Sequence, residues 1–137
     1  INTQVLVSHP ELGKALTGAW FETQRLMGLP TAEGVAARAK MAAAAGTTAE
    51  DFDEQLDTLR SFYAPRYALT FATSSKMPEL MRRVAGFADA HQLLGSDGKG
   101  LEHIGISFSE NRVIGNRDKV LLRFDPTYLQ MADDKSL

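Results

Sequence analysis

Residues 8–28, SHPELGKALTGAWFETQRLMG, form the segment whose beginning, face and end can all be read from residue chemistry. Ser8 followed three residues later by Glu11 has the form of a capping box, and Pro10 in the first turn forfeits no hydrogen bond the helix could make. A helix is therefore expected from about His9. Leu12, Ala15, Leu16, Ala19, Trp20, Thr23, Leu26 and Met27 recur at three- and four-residue steps, which puts them on one stripe of a 3.6-residue period. Such a stripe is expected to be buried. Gly28 can take the left-handed conformation that closes a helix, and Pro30 cannot continue one. Gly13, Ala15, Gly18 and Ala19 leave room for a neighbouring backbone, so packing on more than one side is expected.

At 137 residues the chain has material for one domain with a real core, and one unit is expected over 1–137. Fifteen basic and 17 acidic residues, net −2, are spread along the chain. That leaves no basic field to hold a phosphate backbone, so no nucleic-acid partner is expected. No apolar run approaches the roughly 20 residues that cross a bilayer. Cysteine is absent, which removes disulfides, thiolate metal sites and a cysteine nucleophile without choosing a compartment. The chain opens at isoleucine with no charged and apolar leader ahead of it, as expected of a processed or excised piece.

The remaining elements follow in order. INTQVLV reads as a short strand leading into the first helix. Thr31 to Ala45 is alanine-rich and carries little large apolar surface, giving a peripheral helix ended by Gly46. Thr47-Thr48 with Glu50 and Asp51 offers a second capping box. It opens a helix with Phe52, Leu56, Leu59 and Tyr63 on one face, stopped by Pro65. Tyr67 to Thr73 is strand-like by composition, with a helical turn as the alternative. Ser75 caps a fourth helix in which Leu80, Val84, Phe87 and His91 share a side, Met77, Met81 and Ala88 face a partner, and Gly95 supplies the exit. SDGKG is a turn, and LEHIGISF is a strand with Ile104, Ile106 and Phe108 on one face. SENR turns the chain again. Val120, Leu122 and Phe124 form the inward face of a final strand, expected to pair with the preceding one as a hairpin around Gly115-Asn116. TYLQMADDKSL is a tail or short helix. The expected class is α/β, of α+β character within this chain: a strand, four helices with or without a short strand between them, and a closing β-hairpin.

Three blocks taken together carry a family resemblance: NTQVLVSHPELGKALTGAWFETQRLM, FYAPRYALTFATSSKMPELMRRVAGFADAHQLLG and IGISFSENRVIGNRDKVLLRFDPTYLQMA. In this order and spacing they resemble the C-terminal part of periplasmic solute-binding proteins of bacterial ABC importers, in the nitrate/sulfonate/taurine branch. Within that branch they look closest to members described as urea or amide transporters. GKALTGAWFET and VLLRFDPTY are the most specific pieces. The resemblance implies the C-terminal portion of a two-lobed, hinge-closing α/β periplasmic binding protein. Such a protein captures a small polar nitrogen- or sulfur-containing solute without a cofactor and delivers it to a membrane permease. It also implies a longer N-terminal portion holding most of the cleft, and hence apolar faces here that further polypeptide would cover.

Among the residues themselves, Trp20 and Glu22 are the first candidates for ligand contact, since an aromatic plane and a carboxylate suit a small amide or ammonium-bearing solute. The plain alternative makes Trp20 a core residue and Glu22 a solvated or paired one. His91, Glu102 and His103 could in principle bind zinc or serve as acid and base in a hydrolase or transferase. Against this, Glu102 and His103 would point to opposite faces of a strand, and His91 suits the C-terminal end of its helix. Thr73-Ser74-Ser75 lacks the glycines of a phosphate loop, and Gly95 to Gly100 follows a helix and precedes a strand, the reverse of a nucleotide loop. Arg82-Arg83 reads as a solvated face, with a permease-docking surface as the alternative. No metal ligand set is expected. A ligand-sensing relative of the same fold is the second reading of the resemblance.

Overall fold

The computed structural model describes residues 1–93 and 100–137. Eight helices are described: α1 Thr3–Ser8, α2 Pro10–Gly28, α3 Ala32–Ala45, α4 Ala49–Thr58, α5 Pro65–Ala72, α6 Met77–Ala90, α7 Gly100–His103 and α8 Thr127–Asp133. Three short strands join them, β1 Gly105–Ser107, β2 Val113–Gly115 and β3 Val120–Arg123. The chain is thus mixed α/β and mostly helical, with a small three-stranded sheet. It divides into two compact units, one of residues 1–68 with 128–137 and one of residues 69–127.

In the first unit, the segment expected as a strand is α1. Asn2 Oδ1 accepts the Gln4 N–H at 2.8 Å and opens a helical turn. A strand would need a paired neighbour, and the sheet is built wholly from residues 105–123. Ser8 is consequently the last residue of α1, and the Ser8–Glu11 capping box is not formed. His9 takes the N-cap position without a side-chain cap, its Nδ1 lying 3.1 Å from Glu11 Oε1. α2 then runs to Gly28 as expected. Gly28 stays helical, and the helix ends because Leu29, the residue before Pro30, is extended.

α2 turns inward a different face from the one its apolar period marks. Gly13, Phe21 and Gln24 are buried, whereas Leu12, Ala15, Leu16, Ala19, Trp20 and Thr23 are exposed. Close approach sets this orientation. A methyl group at Gly13 would overlap the Tyr128 ring, and one at Gly28 would stand 2.9 Å from Tyr63 Cδ1. α3 begins at its Thr31 cap and ends at Gly46, whose φ of 73° is left-handed. α4 begins at Thr48, whose hydroxyl accepts the Asp51 N–H and donates to the Asp51 carboxylate. α4 stops at Thr58, short of Leu59 and Tyr63, both of which are exposed. Arg38 of α3 fastens these helices: Nε donates to Asp53 Oδ1 at 2.7 Å, and Nη1 donates to the Met27 and Leu29 carbonyls at 3.0 and 3.1 Å.

The second unit is built on Met77, Ile106, Phe108 and Ile114, with Phe71, Leu80, Met81, Leu101 and Phe124 packed around them. Tyr67 to Thr73, expected as a strand, lies largely in α5. Pro65 starts this helix rather than stopping the previous one, its fixed φ suiting a first helical turn. α6 has Lys76 at its N-cap in place of Ser75 and buries Met77, Pro78 and Ala85. Val84 and Phe87 are exposed, because the apolar side of the sheet meets Met77, Leu80 and Met81 instead. The expected helix exit at Gly95 and residues 96–99 of the SDGKG turn lie outside the described residues, and Gly100 opens α7.

The hairpin is also rearranged. β1 pairs antiparallel with β2, Ser107 opposite Val113, around Glu110-Asn111, while β3 lies parallel to β1 on its other edge. Asn116 redirects the chain. Its Oδ1 accepts the Asp118 N–H and its Nδ2 donates to the Glu102 carbonyl, which starts a 3-10 turn at Arg117–Lys119 before β3. Leu101 to His103 fall in α7, so the strand expected over 101–108 is confined to Gly105–Ser107. Ile106 and Phe108 are buried as expected, and Phe108 stacks on Phe124 with centroids 5.3 Å apart.

Candidate functional site

A groove of about 620 Å³ lies in the first unit. Its walls are Leu16, Trp20 and Met27 of α2, Leu56 of α4, and Leu59 and Phe62 of the segment that follows α4. Trp20, the chain's one tryptophan, is 60% exposed at its edge. Gln24 lines the same groove at 6% exposure, and its Oε1 accepts no hydrogen bond. Arg60 and Ser61 add polar groups, the Arg60 guanidinium carbon lying 5.9 Å from the Phe62 ring centroid. A buried amide oxygen without a donor is costly, so a ligand supplying an N–H or O–H there would relieve a standing penalty.

Trp20 is therefore at the groove, and Glu22 is not among its walls. Two residues on, the helix has turned through about 200°, and the Glu22 carboxylate meets Arg25 through two hydrogen bonds of 2.8 and 2.9 Å. Those bonds hold its pKa below the ordinary glutamate value. The imidazoles and carboxylate weighed as catalytic groups belong to the second unit. His91 rests against Phe87 with centroids 4.2 Å apart, and Glu102 is exposed on α7 beside half-buried His103. Among the described residues no group of three His, Cys, Asp or Glu side chains is placed to hold a metal ion. Thr73 donates back to the Leu69 carbonyl at 2.8 Å, as a helix-end threonine does.

Gln24, Arg60 and Phe62 were not singled out by sequence reasoning. Gln24 is polar and sits off the apolar stripe, so its burial follows only from the close approach at Gly13 and Gly28. Arg60 and Phe62 reach the groove because α4 ends at Thr58, before the apolar period runs out. No helix among the described residues is long and apolar enough to cross a membrane. Comparison with protein-family models, curated proteins and solved structures finds no match to this chain.

Proposed function

We propose that the chain is part of the solute-binding component of a bacterial ABC importer, with no reaction of its own. On this reading it works in the periplasm, helps to capture a small polar nitrogen- or sulfur-containing solute, and passes it to a membrane permease with the N-terminal portion of the same receptor. The resemblance of the three sequence blocks motivates the reading. The observation that carries it is the groove itself: an exposed indole plane beside a buried carboxamide, with aliphatic walls and no cluster of ionisable groups, has the makings of a contact surface rather than a reaction centre. Trp20 would pack against a flat amide or sulfonate, and Gln24 would exchange hydrogen bonds with it. Glu22, held by Arg25, would stay outside.

The test is thermal unfolding of the protein with urea, short amides, taurine and nitrate added one at a time. A solute at 100 times its dissociation constant adds about 2.7 kcal/mol of stability. A shift with at least one of them, abolished in Trp20→Ala, is expected. No shift across the panel would overturn the proposal.

A further inference from the structure

Trp20 and Gln24 stand one turn apart on α2, about 6 Å along its axis, and both line the groove. A head that meets Gln24 and a body that packs on the indole therefore belong to one small molecule. The two ends ask for different chemistry. Gln24 is 6% exposed, its Oε1 is sealed from water, and no donor reaches it. The terminal bond of a glutamine turns softly, so a modest rotation of the amide plane lets the oxygen take a ligand N–H while the amide nitrogen donates to a ligand carbonyl. A carboxamide head supplies both halves of that exchange. Nitrate and a sulfonate group supply only the acceptor.

Charge and surface narrow the ligand further. Arg60 is the one ionisable residue among the described walls, and it is exposed, its guanidinium carbon 5.9 Å from the Phe62 ring centroid. A carboxylate or ammonium set beside Gln24 would give up its water without a buried counter-charge, at a greater cost than a hydrogen bond returns. The remaining walls are apolar and open, with Leu16 at 46% exposure and Leu59 at 62%. A molecule the size of urea would leave most of a groove of about 620 Å³ unfilled and those side chains in water. An apolar body on the same head would cover them.

Taking the groove as the solute site proposed above, we propose that its ligand is a neutral primary carboxamide on a flat apolar body, the head paired with Gln24 and the body against Trp20. The test is calorimetric titration of the intact chain with benzamide, benzoate, benzamidinium, N,N-dimethylbenzamide and acetamide. The first four keep one shape while changing charge or removing the N–H, and acetamide removes the body. Benzamide should bind at least about tenfold more tightly than each of the others. Gln24→Leu should weaken benzamide by a similar factor without lowering the unfolding midpoint, because it takes away a buried oxygen that no donor serves. The ligand series, run on the unaltered chain, decides independently of how any variant folds. Benzamide bound no better than benzoate or the dimethyl amide, or bound equally well by Gln24→Leu, would overturn the proposal. Binding of taurine or nitrate that depends on Trp20, with none of benzamide, would overturn it and leave the solute-binding role standing. No binding by any of these compounds would remove both.

Discussion

The Tyr128 ring of α8 packs against Gly13 of α2, so close that a single added methyl group at Gly13 would overlap the phenol carbons. This contact joins the last helix of the chain to the second. It selects which side of α2 is turned inward, since any other residue at position 13 would hold the ring away. Alanine favours a helix interior over glycine by about 1 kcal/mol, and that gain competes here with overpacking of about 1–3 kcal/mol. Gly13→Ala should therefore destabilise the protein on balance. Tyr128→Leu in the same background should recover part of the loss, and urea unfolding of the single and double variants measures the coupling.

Arg38 is expected to be the most sensitive charged residue of the first unit. Its side chain is 17% exposed and unites the end of α2 with α4 through three hydrogen bonds. A lysine cannot span a carboxylate and two carbonyls in that planar arrangement. Arg38→Lys should cost about 1–3 kcal/mol. Asp53→Asn should cost about 1 kcal/mol or less, because Asp53 is half exposed and the two carbonyls still hold the guanidinium. An asparagine variant as damaging as the lysine one would show that the ion pair, not the carbonyl clasp, fixes Arg38.

The start of α4 gives a pH-dependent contribution with a definite sign. The Thr48 hydroxyl, donating at 2.7 Å, holds the Asp51 carboxyl below its ordinary value, and Thr47 adds a longer bond. A carboxylate with a lowered folded pKa stabilises the fold above its unfolded value, and that stabilisation is lost as pH falls through the folded value. The window therefore opens below about pH 4. Thr48→Ala should raise the Asp51 pKa toward the ordinary value, read by carbon NMR of the carboxyl group. The stability gap between this variant and the parent should narrow as pH falls below about 4. A gap that widens on acidification would contradict the assignment.

Local chemistry made the limits of several helices legible. Pro10, the Thr31 and Thr48 caps and the left-handed Gly46 act within one turn of their own positions, and α2, α3 and α4 begin or end beside them. The covered face of α2 was not legible, because a 3.6-residue period tells which residues share a side and not which side is met. Gly13 and Tyr128 are over a hundred residues apart, and their contact decided it. The same holds for the sheet. Alternation marked Ile106 and Phe108 as inward, but pairing depends on where Asn116 sends the chain, and its bond to the Glu102 carbonyl has no signature in either strand. Of the candidate site, Trp20 was visible as an aromatic on an apolar stripe. Gln24 was not, since its burial is a consequence of packing around it.

The β1–β2 turn offers a stabilising substitution. Glu110 and Asn111 have φ of 60° and 56°, and the Arg112 N–H donates to the Ser109 carbonyl at 3.4 Å, which makes Ser109 to Arg112 a β-turn with both central residues left-handed. Asparagine tolerates this conformation, whereas for glutamate it costs about 1 kcal/mol, more than the exposed Glu110 carboxylate regains from Arg112 Nε at 3.7 Å. The first central position is thus the strained one. Glu110→Asn with Asn111→Gly places the preferred pair in the turn and should raise stability by about 1 kcal/mol. The gain should arise mainly from the first change and appear in thermal unfolding as a higher midpoint. It should leave the register of Ser107 opposite Val113 intact, which cross-strand nuclear Overhauser contacts would report. A lower midpoint would mean that Glu110 makes a contribution to the fold that outweighs its backbone strain.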